Sequence, residues 1–279
     1  MKVTLPDGEA MWLDTRFSTL AAGELVEDLA GATAMVLRSD GLILETVPQA
    51  APERFLRVEE RRVELPEPGR ESLTVRVERR LAGADGHRRK AEIAAQPQLS
   101  RRHLLEEELA EAYPGLAVTA ADWPGLADPG PVVERFDFTA ATGMEARTDG
   151  APNVAWGTPL ALSPALPIAA GAAAMERRTT AFHLRTECAG EDRIEFVLPP
   201  GARFVDSRLP AAEAIPSRFG VYQLRVEVDE AEGVLTVRRR YVFGPQRISA
   251  SDWPDFRAVL ERMRAAEAQW VEWTVMTPP

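Results

Sequence analysis

SRFGVYQLRVEVDEAEGVLTVRRRYVF, residues 217–243, is the stretch that decides the fold class. Tyr222, Leu224, Val226 and Val228 fall on one side of a two-residue period. Asp229–Gly233 then supplies a polar connection, and Leu235, Val237, Tyr241 and Phe243 resume the alternation. That period belongs to a strand with one wet face, so the stretch predicts a β-hairpin closed by a loop of five residues. Within Arg238-Arg239-Arg240, alternation puts Arg238 and Arg240 on one face and Arg239 among the apolar set.

Downstream, RISASDWPDFRAVLERM predicts a helix starting near Ser251, with Asp252 in its first turn and Pro254 where a helix tolerates proline. Phe256, Leu260 and Met263 give it an apolar stripe, and Trp270 and Trp273 follow. Upstream, short strands are expected at Phe182–Leu184, Ile194–Leu198, Phe136–Phe138, around Val63 and Leu65, and at Leu73–Leu81. In the last of these, Thr74, Arg76, Glu78 and Arg80 take the opposite face. Asp85-Gly86 reads as a turn, Arg101–Tyr113 as a helix capped by Ser100, and Leu42–Pro52 as a linker. The chain opens on a hairpin, with Val3 and Leu5 against Met11 and Leu13 around Pro6-Asp7-Gly8.

The fold expected is mainly β with minor α: two β-sandwich-like domains at 50–150 and 175–279, each with one helix. A Pro/Gly/Ala-rich connector at 151–174 joins them, and a hairpin-bearing segment at 1–49 precedes them. The chain has 279 residues, 45% of them hydrophobic, enough for a core without disulfide or metal staples. Its net charge of −10 argues against nucleic acid and anionic lipid as partners. Cys188 is the single cysteine, which excludes an intrachain disulfide. No apolar run reaches the ~18 residues of a membrane helix, so no membrane insertion is expected.

Three stretches carry a resemblance. LPDGEAMWLDT with AMVLRSDGLI is the first, the helix ending in AEAYPG the second, and the hairpin-plus-helix at 217–263 the third. Together they resemble bacterial transglutaminase-like proteins, built as an N-terminal β domain of unknown function, a papain-like transglutaminase core and a C-terminal β domain of unknown function. The resemblance places Asp14 at the family's triad aspartate and makes 1–49 a remnant of the core, truncated after the catalytic His, with an apolar face in need of cover. The family's Cys and His both lie upstream of that hairpin, outside this sequence, and Val26 stands where the family often has proline.

The resemblance thus implies a non-catalytic accessory or interaction module, positioning a peptide or amine substrate or a protein partner, in an extracytoplasmic or periplasmic setting. One alternative is a split cysteine enzyme, a second chain supplying Cys and His to Asp14. Another is a carbohydrate- or peptide-binding module, for which Arg238, Arg240, Trp270 and Trp273, with Trp253 nearby, are the candidate surface. A triad orienter without base and nucleophile performs no chemistry. His183 and Cys188, five apart on a strand-like segment, are expected on opposite faces. His87 is read in a charged turn and His103 in a first helical turn, both solvated. Their spacing makes no zinc signature, and no cofactor motif occurs.

Overall fold

A computed structural model describes residues 1–16, 20, 22–23, 25, 29, 31–38, 41–48, 56–67, 70, 72–110, 113, 115–141, 155–162, 175–184, 188–206 and 209–275. Strands dominate and helices are few, a mainly β fold with minor α. Its centre is one eight-stranded sheet. One half consists of β5 (Leu56–Glu64), β6 (Ser72–Leu81), β7 (Ala117–Asp122) and β8 (Val132–Ala141). The other consists of β11 (Cys188–Val197), β13 (Glu213–Ser217), β14 (Gly220–Asp229) and β15 (Val234–Phe243). The strand order is β13-β14-β15-β11-β5-β6-β8-β7. Every pairing is antiparallel except β5 with β11, which run parallel from Leu56↔Ala189 to Glu64↔Val197. The 50–150 and 175–279 stretches therefore contribute four strands each to a single hydrogen-bonded layer.

The alternation read from residues 217–243 is what this sheet uses. In β15, Leu235, Val237, Arg239, Tyr241 and Phe243 are buried, while Arg238 and Arg240 are exposed. In β6, Leu73, Val75, Val77 and Arg79 are buried, and Thr74, Arg76, Glu78 and Arg80 are exposed. The outer face is thus a wet lattice of opposite charges, such as Arg135 with Glu78 at 3.0 Å and Arg62 with Glu195 at 3.1 Å. Such exposed pairs contribute roughly 0–1 kcal/mol each.

The inner face carries the core. Helices α1 (Gly83–Ala95) and α2 (Gln98–Leu109) serve the β6–β8–β7 end, and α3 (Trp253–Glu267) the β13 end. A second sheet of β12 (Ala202–Phe204), β17 (Trp270–Val275) and β9 (Ala155–Pro159) adds Phe204, Val271 and Trp273 to the same core cluster as Val75, Phe138, Tyr222 and Phe256. Smaller two-stranded pairings complete the described fold. These are β1 (Lys2–Thr4) with β2 (Ala10–Trp12), β3 (Thr33–Arg38) with β4 (Gly41–Thr46), and β10 (Phe182–Leu184) with β16 (Gln246–Ile248).

Several expectations need correction. Asp85-Gly86 is not a turn but lies inside α1. Gly86 is needed there because a Cβ would sit 2.2 Å from the Leu81 carbonyl oxygen, so glycine lets the helix start against the end of β6. The 50–150 stretch accordingly holds two helices, not one. Ser100 is a residue of α2, whose N-cap position is Pro97, and α2 ends at Leu109 with Tyr113 beyond it. His87 is buried in α1 rather than solvated, whereas His103 is exposed, in the body of α2. Leu42–Thr46 of the expected linker is strand, and the connector contributes β9; 49–55, 150–154 and 163–174 lie outside the described residues, as does Val26.

The 1–49 segment does form the opening hairpin, with Val3 opposite Met11. In the β3–β4 pair, Met35, Leu37, Leu42 and Leu44 are exposed. Lys2 ties the two hairpins together through Glu45.

Candidate functional site

The sheet's inner face is crossed by a row of ionisable side chains where apolar ones are the rule. Register aligns Arg239 with Asp192, Asp192 with Glu59, Glu59 with Arg79, and Arg79 with Glu134, over five adjacent strands. All five residues are buried. A buried charge survives only when paired and hydrogen-bonded, and each is. Arg239 Nε donates to Asp192 Oδ2 at 2.7 Å and its Nη1 to Glu267 Oε1 of α3 at 2.7 Å. Arg79 Nε donates to Glu134 Oε2 at 2.6 Å and its terminal nitrogens to Glu108 of α2. Arg89 of α1 closes that end, reaching Glu134 Oε1 at 3.0 Å and Glu108 Oε2 at 2.9 Å. Glu59 holds Arg57 through Oε2 at 2.5 Å and Arg61 through Oε1.

Over β5, β6 and β8 the row opens into a cavity of about 480 Å³. Val77, Phe136 and Phe138 form its floor; Leu109 and Tyr113, at the end of α2, form one wall; Pro159, Ala161 and Leu162 form its roof. Arg57, Glu59, Arg61, Arg79 and Glu108 supply the polar lining. Arg61 pins the roof to the floor: its Nη1 donates to the Ala161 carbonyl at 2.6 Å and to Tyr113 Oη at 3.1 Å. Ala161 has φ +49, the one positive value at a non-glycine among the described residues. Strain of this kind persists where surrounding contacts hold it, and it concentrates at working sites.

Burial pushes Glu59 up, but the Arg61 and Arg57 charges overcome it and hold the carboxyl far below the usual range. Glu108 is likewise lowered: burial opposes, and the Arg79 hydrogen bond with the Arg79 and Arg89 charges prevails. Against their own desolvation, Glu59 raises Arg61, Glu134 raises Arg79 and Asp192 raises Arg239. Burial pushes the Tyr241 hydroxyl up to about 12. Glu59 and Glu108 therefore stay carboxylates, and Arg61, Arg79 and Arg239 guanidiniums, at neutral pH, opposed charges beside an aromatic floor.

None of the residues singled out from sequence lines this cavity. Asp14 follows β2; its carboxylate receives the Arg16 backbone N–H at 3.0 Å and the Arg16 guanidinium at 2.8–3.2 Å, and the Arg16 hydrogen bonds hold its pKa below the ordinary value. Arg238 and Arg240 stand on the outer face near Glu227 and Glu191, on a strand flanked on both sides. Trp270 and Trp273 form no aromatic platform. They are three apart on β17, hence on opposite faces, with Trp270 42% exposed and Trp273 0%. Trp253 is buried beside Phe182 and Phe256. His183 and Cys188 lie in strands of different sheets, the segment between them being outside the described residues.

Sequence reading passed over Arg57, Glu59, Arg61, Arg79, Glu108, Glu134 and Asp192. The signal was a charge standing in the apolar phase of an alternating strand: Arg79 between Val77 and Leu81, Glu134 between Val132 and Phe136, Asp192 two before Ile194. Among the described residues, no group of three or more His, Cys, Asp and Glu is placed to hold a metal ion, and no helix is long and apolar enough to cross a membrane. No family model, curated protein or solved structure matches this chain.

Proposed function

We propose that this chain is a non-catalytic interaction module, of the accessory kind implied by its resemblance to transglutaminase-like proteins, and that it holds its ligand in the cavity over β5, β6 and β8. The observation that carries this reading is the cavity itself: about 480 Å³, floored by aromatic rings and edged by arginine and glutamate side chains already ordered by one another. Concave, mostly apolar sites with a few pre-positioned polar groups are what small-molecule and peptide-end recognition requires. Pre-ordered charges also lower the entropy cost of binding.

Two placements favour binding over catalysis. The Asp14 carboxylate is clasped by Arg16, so acting as an orienter for an imidazole brought by another chain requires Arg16 to leave. Cys188 and His183 lie on strands of separate sheets, β11 and β10.

A thermal-shift screen of small compounds tests the reading. Compounds that stabilise the protein should lose that effect in Leu109→Trp, which fills the cavity from its wall. Equal stabilisation of the filled variant would remove the cavity as the site. Amine incorporation into a glutamine peptide by this chain alone would remove the non-catalytic assignment.

A further inference from the structure

A second pocket lies at the opposite end of α2 from the cavity. It measures about 390 Å³ and is lined by Leu99, Arg101 and Arg102 of α2 and by Asp122, Trp123 and Leu126 at and beyond the end of β7. Its two arginines are held by backbone alone. Arg101 Nε donates to the Gln96 carbonyl at 3.2 Å and Arg102 Nη2 to the Thr119 carbonyl at 3.5 Å. Among the described residues no carboxylate pairs with either, whereas Arg79 and Arg89 further along share Glu108 and Glu134. Trp123 is set in place by its indole N–H, which donates to the buried Glu134 at 3.3 Å. Leu99 is 93% exposed beside it. β7 is the outermost strand of the sheet, but side chains of α2 already occupy its edge: Glu106 accepts the Val118 N–H at 3.4 Å, and Arg102 takes the Thr119 carbonyl. An added peptide strand would have to displace both, so the pocket suits a compact ligand.

We infer that this pocket is a second ligand site and takes a phosphomonoester carried on a flat ring, the phosphoryl group between Arg101 and Arg102 and the ring against Trp123. Arg101 is held toward Gln96 and Arg102 toward Thr119, so their donor forks enter from different sides. A carboxylate is satisfied by one such fork. A phosphoryl group turns three oxygens to different sides, and its charge of about −2 at neutral pH matches both guanidiniums. The indole of Trp123 and the Leu99 and Leu126 side chains supply the apolar surface that a ring needs, in a volume within the range of small-ligand sites. Asp122 is the one acidic side chain in the lining and opposes the anion, which fixes the sign of its removal. A nucleoside monophosphate and a phosphotyrosine side chain present this same chemistry.

Calorimetric titration of the full chain at low salt separates these cases. The probes are adenosine monophosphate against adenosine, N-acetyl-phosphotyrosine amide against N-acetyl-tyrosine amide, and inorganic phosphate. Each ester is expected to bind about tenfold or more tightly than its unphosphorylated parent. Arg101→Gln and Arg102→Gln should each remove most of that difference, and Asp122→Asn should tighten the ester. The tighter of the two esters assigns the source, nucleotide or phosphotyrosine. Parents binding as well as esters would overturn the phosphoryl group, and inorganic phosphate binding as tightly as both esters would overturn the ring. Neither heat nor a thermal shift from any probe, with the protein folded, would overturn the site. Ester binding lost in folded Leu109→Trp but kept in Arg102→Gln would place the probes in the other cavity and overturn this site while leaving that one standing. The comparison of ester with parent on the unmodified protein holds even where an arginine variant does not fold.

Discussion

Arg239 and Asp192 are register partners on neighbouring strands, and the guanidinium Nε meets the carboxylate at 2.7 Å with both side chains closed off from water. Glu267 at the end of α3 takes the other side of the same guanidinium. The contact therefore links two strands of the sheet to the helix packed on it. Removing the arginine takes the hydrogen-bonded guanidinium away from the buried Asp192 and from Glu267, and such a loss costs about 3–5 kcal/mol. Arg239→Met should lower unfolding stability by that amount in denaturant melts. Replacing all three, as Arg239→Met with Asp192→Leu and Glu267→Gln, should recover most of it. A loss under about 1 kcal/mol in the single variant would show that the row contributes no stability.

Acid should weaken the fold in a particular window. Glu59 and Glu108 have pKa values depressed below 4.5 in the native state, despite burial, by the arginines facing them. Both bind protons more readily once unfolded. Their stabilisation is therefore complete above about pH 4.5 and is lost as pH falls toward their native values. Denaturant midpoints measured downward from neutral pH should fall below pH 4.5. Glu59→Gln, already destabilised, should show a shallower decline. A midpoint indifferent to pH down to about 3 would contradict this account.

The cavity roof should tolerate glycine better than alanine. At φ +49 Ala161 occupies the left-handed region, costing a residue with a Cβ about 1–2 kcal/mol. Glycine relieves this and gives back about 0.5–1 kcal/mol in chain entropy. Ala161→Gly should thus raise stability by up to about 1 kcal/mol, whereas Ala161→Val, β-branched at positive φ, should lower it. Chemical denaturation of the two variants checks both signs.

The two C-terminal tryptophans should part company on truncation. Trp273 is wholly buried in the core shared by both sheets, and Trp270 is nearly half exposed. Trp273→Ala should cost about 3–5 kcal/mol, and Trp270→Ala under about 1 kcal/mol. Retention on a glycan array should be the same for Trp270→Ala as for the unmodified chain, because Trp273 cannot join it in a sugar platform.

Alternation in the sequence was enough to place β6, β14 and β15 and parts of β8, at Phe136–Phe138, and β11, from Ile194, and to assign their inward faces, except at Val228, which is exposed. It also marked Arg239 as a charge on the apolar side. Turn and cap signals were less dependable. Asp85-Gly86 has the composition of a turn, yet the space beside Leu81 decides that the glycine serves a helix. Ser100 has the chemistry of a cap, but α2 begins before it, at Gln98.

What the sequence determined alone was local: strand period, a mainly β class, one helix with its apolar stripe, and the side of each strand that faces inward. These follow from side-chain geometry along a single segment, which the order of residues contains. What only the tertiary structure decided was which segments lie next to each other. The parallel pairing of β5 with β11 joins strands more than a hundred residues apart and brings Glu59 beside Asp192. The stacking of the end of α2 and residues 159–162 over β5, β6 and β8 makes the cavity. Such contacts arise because a charge left in the apolar phase of one strand must find its counter-charge wherever the chain can bring one, and no spacing along the sequence records where that is.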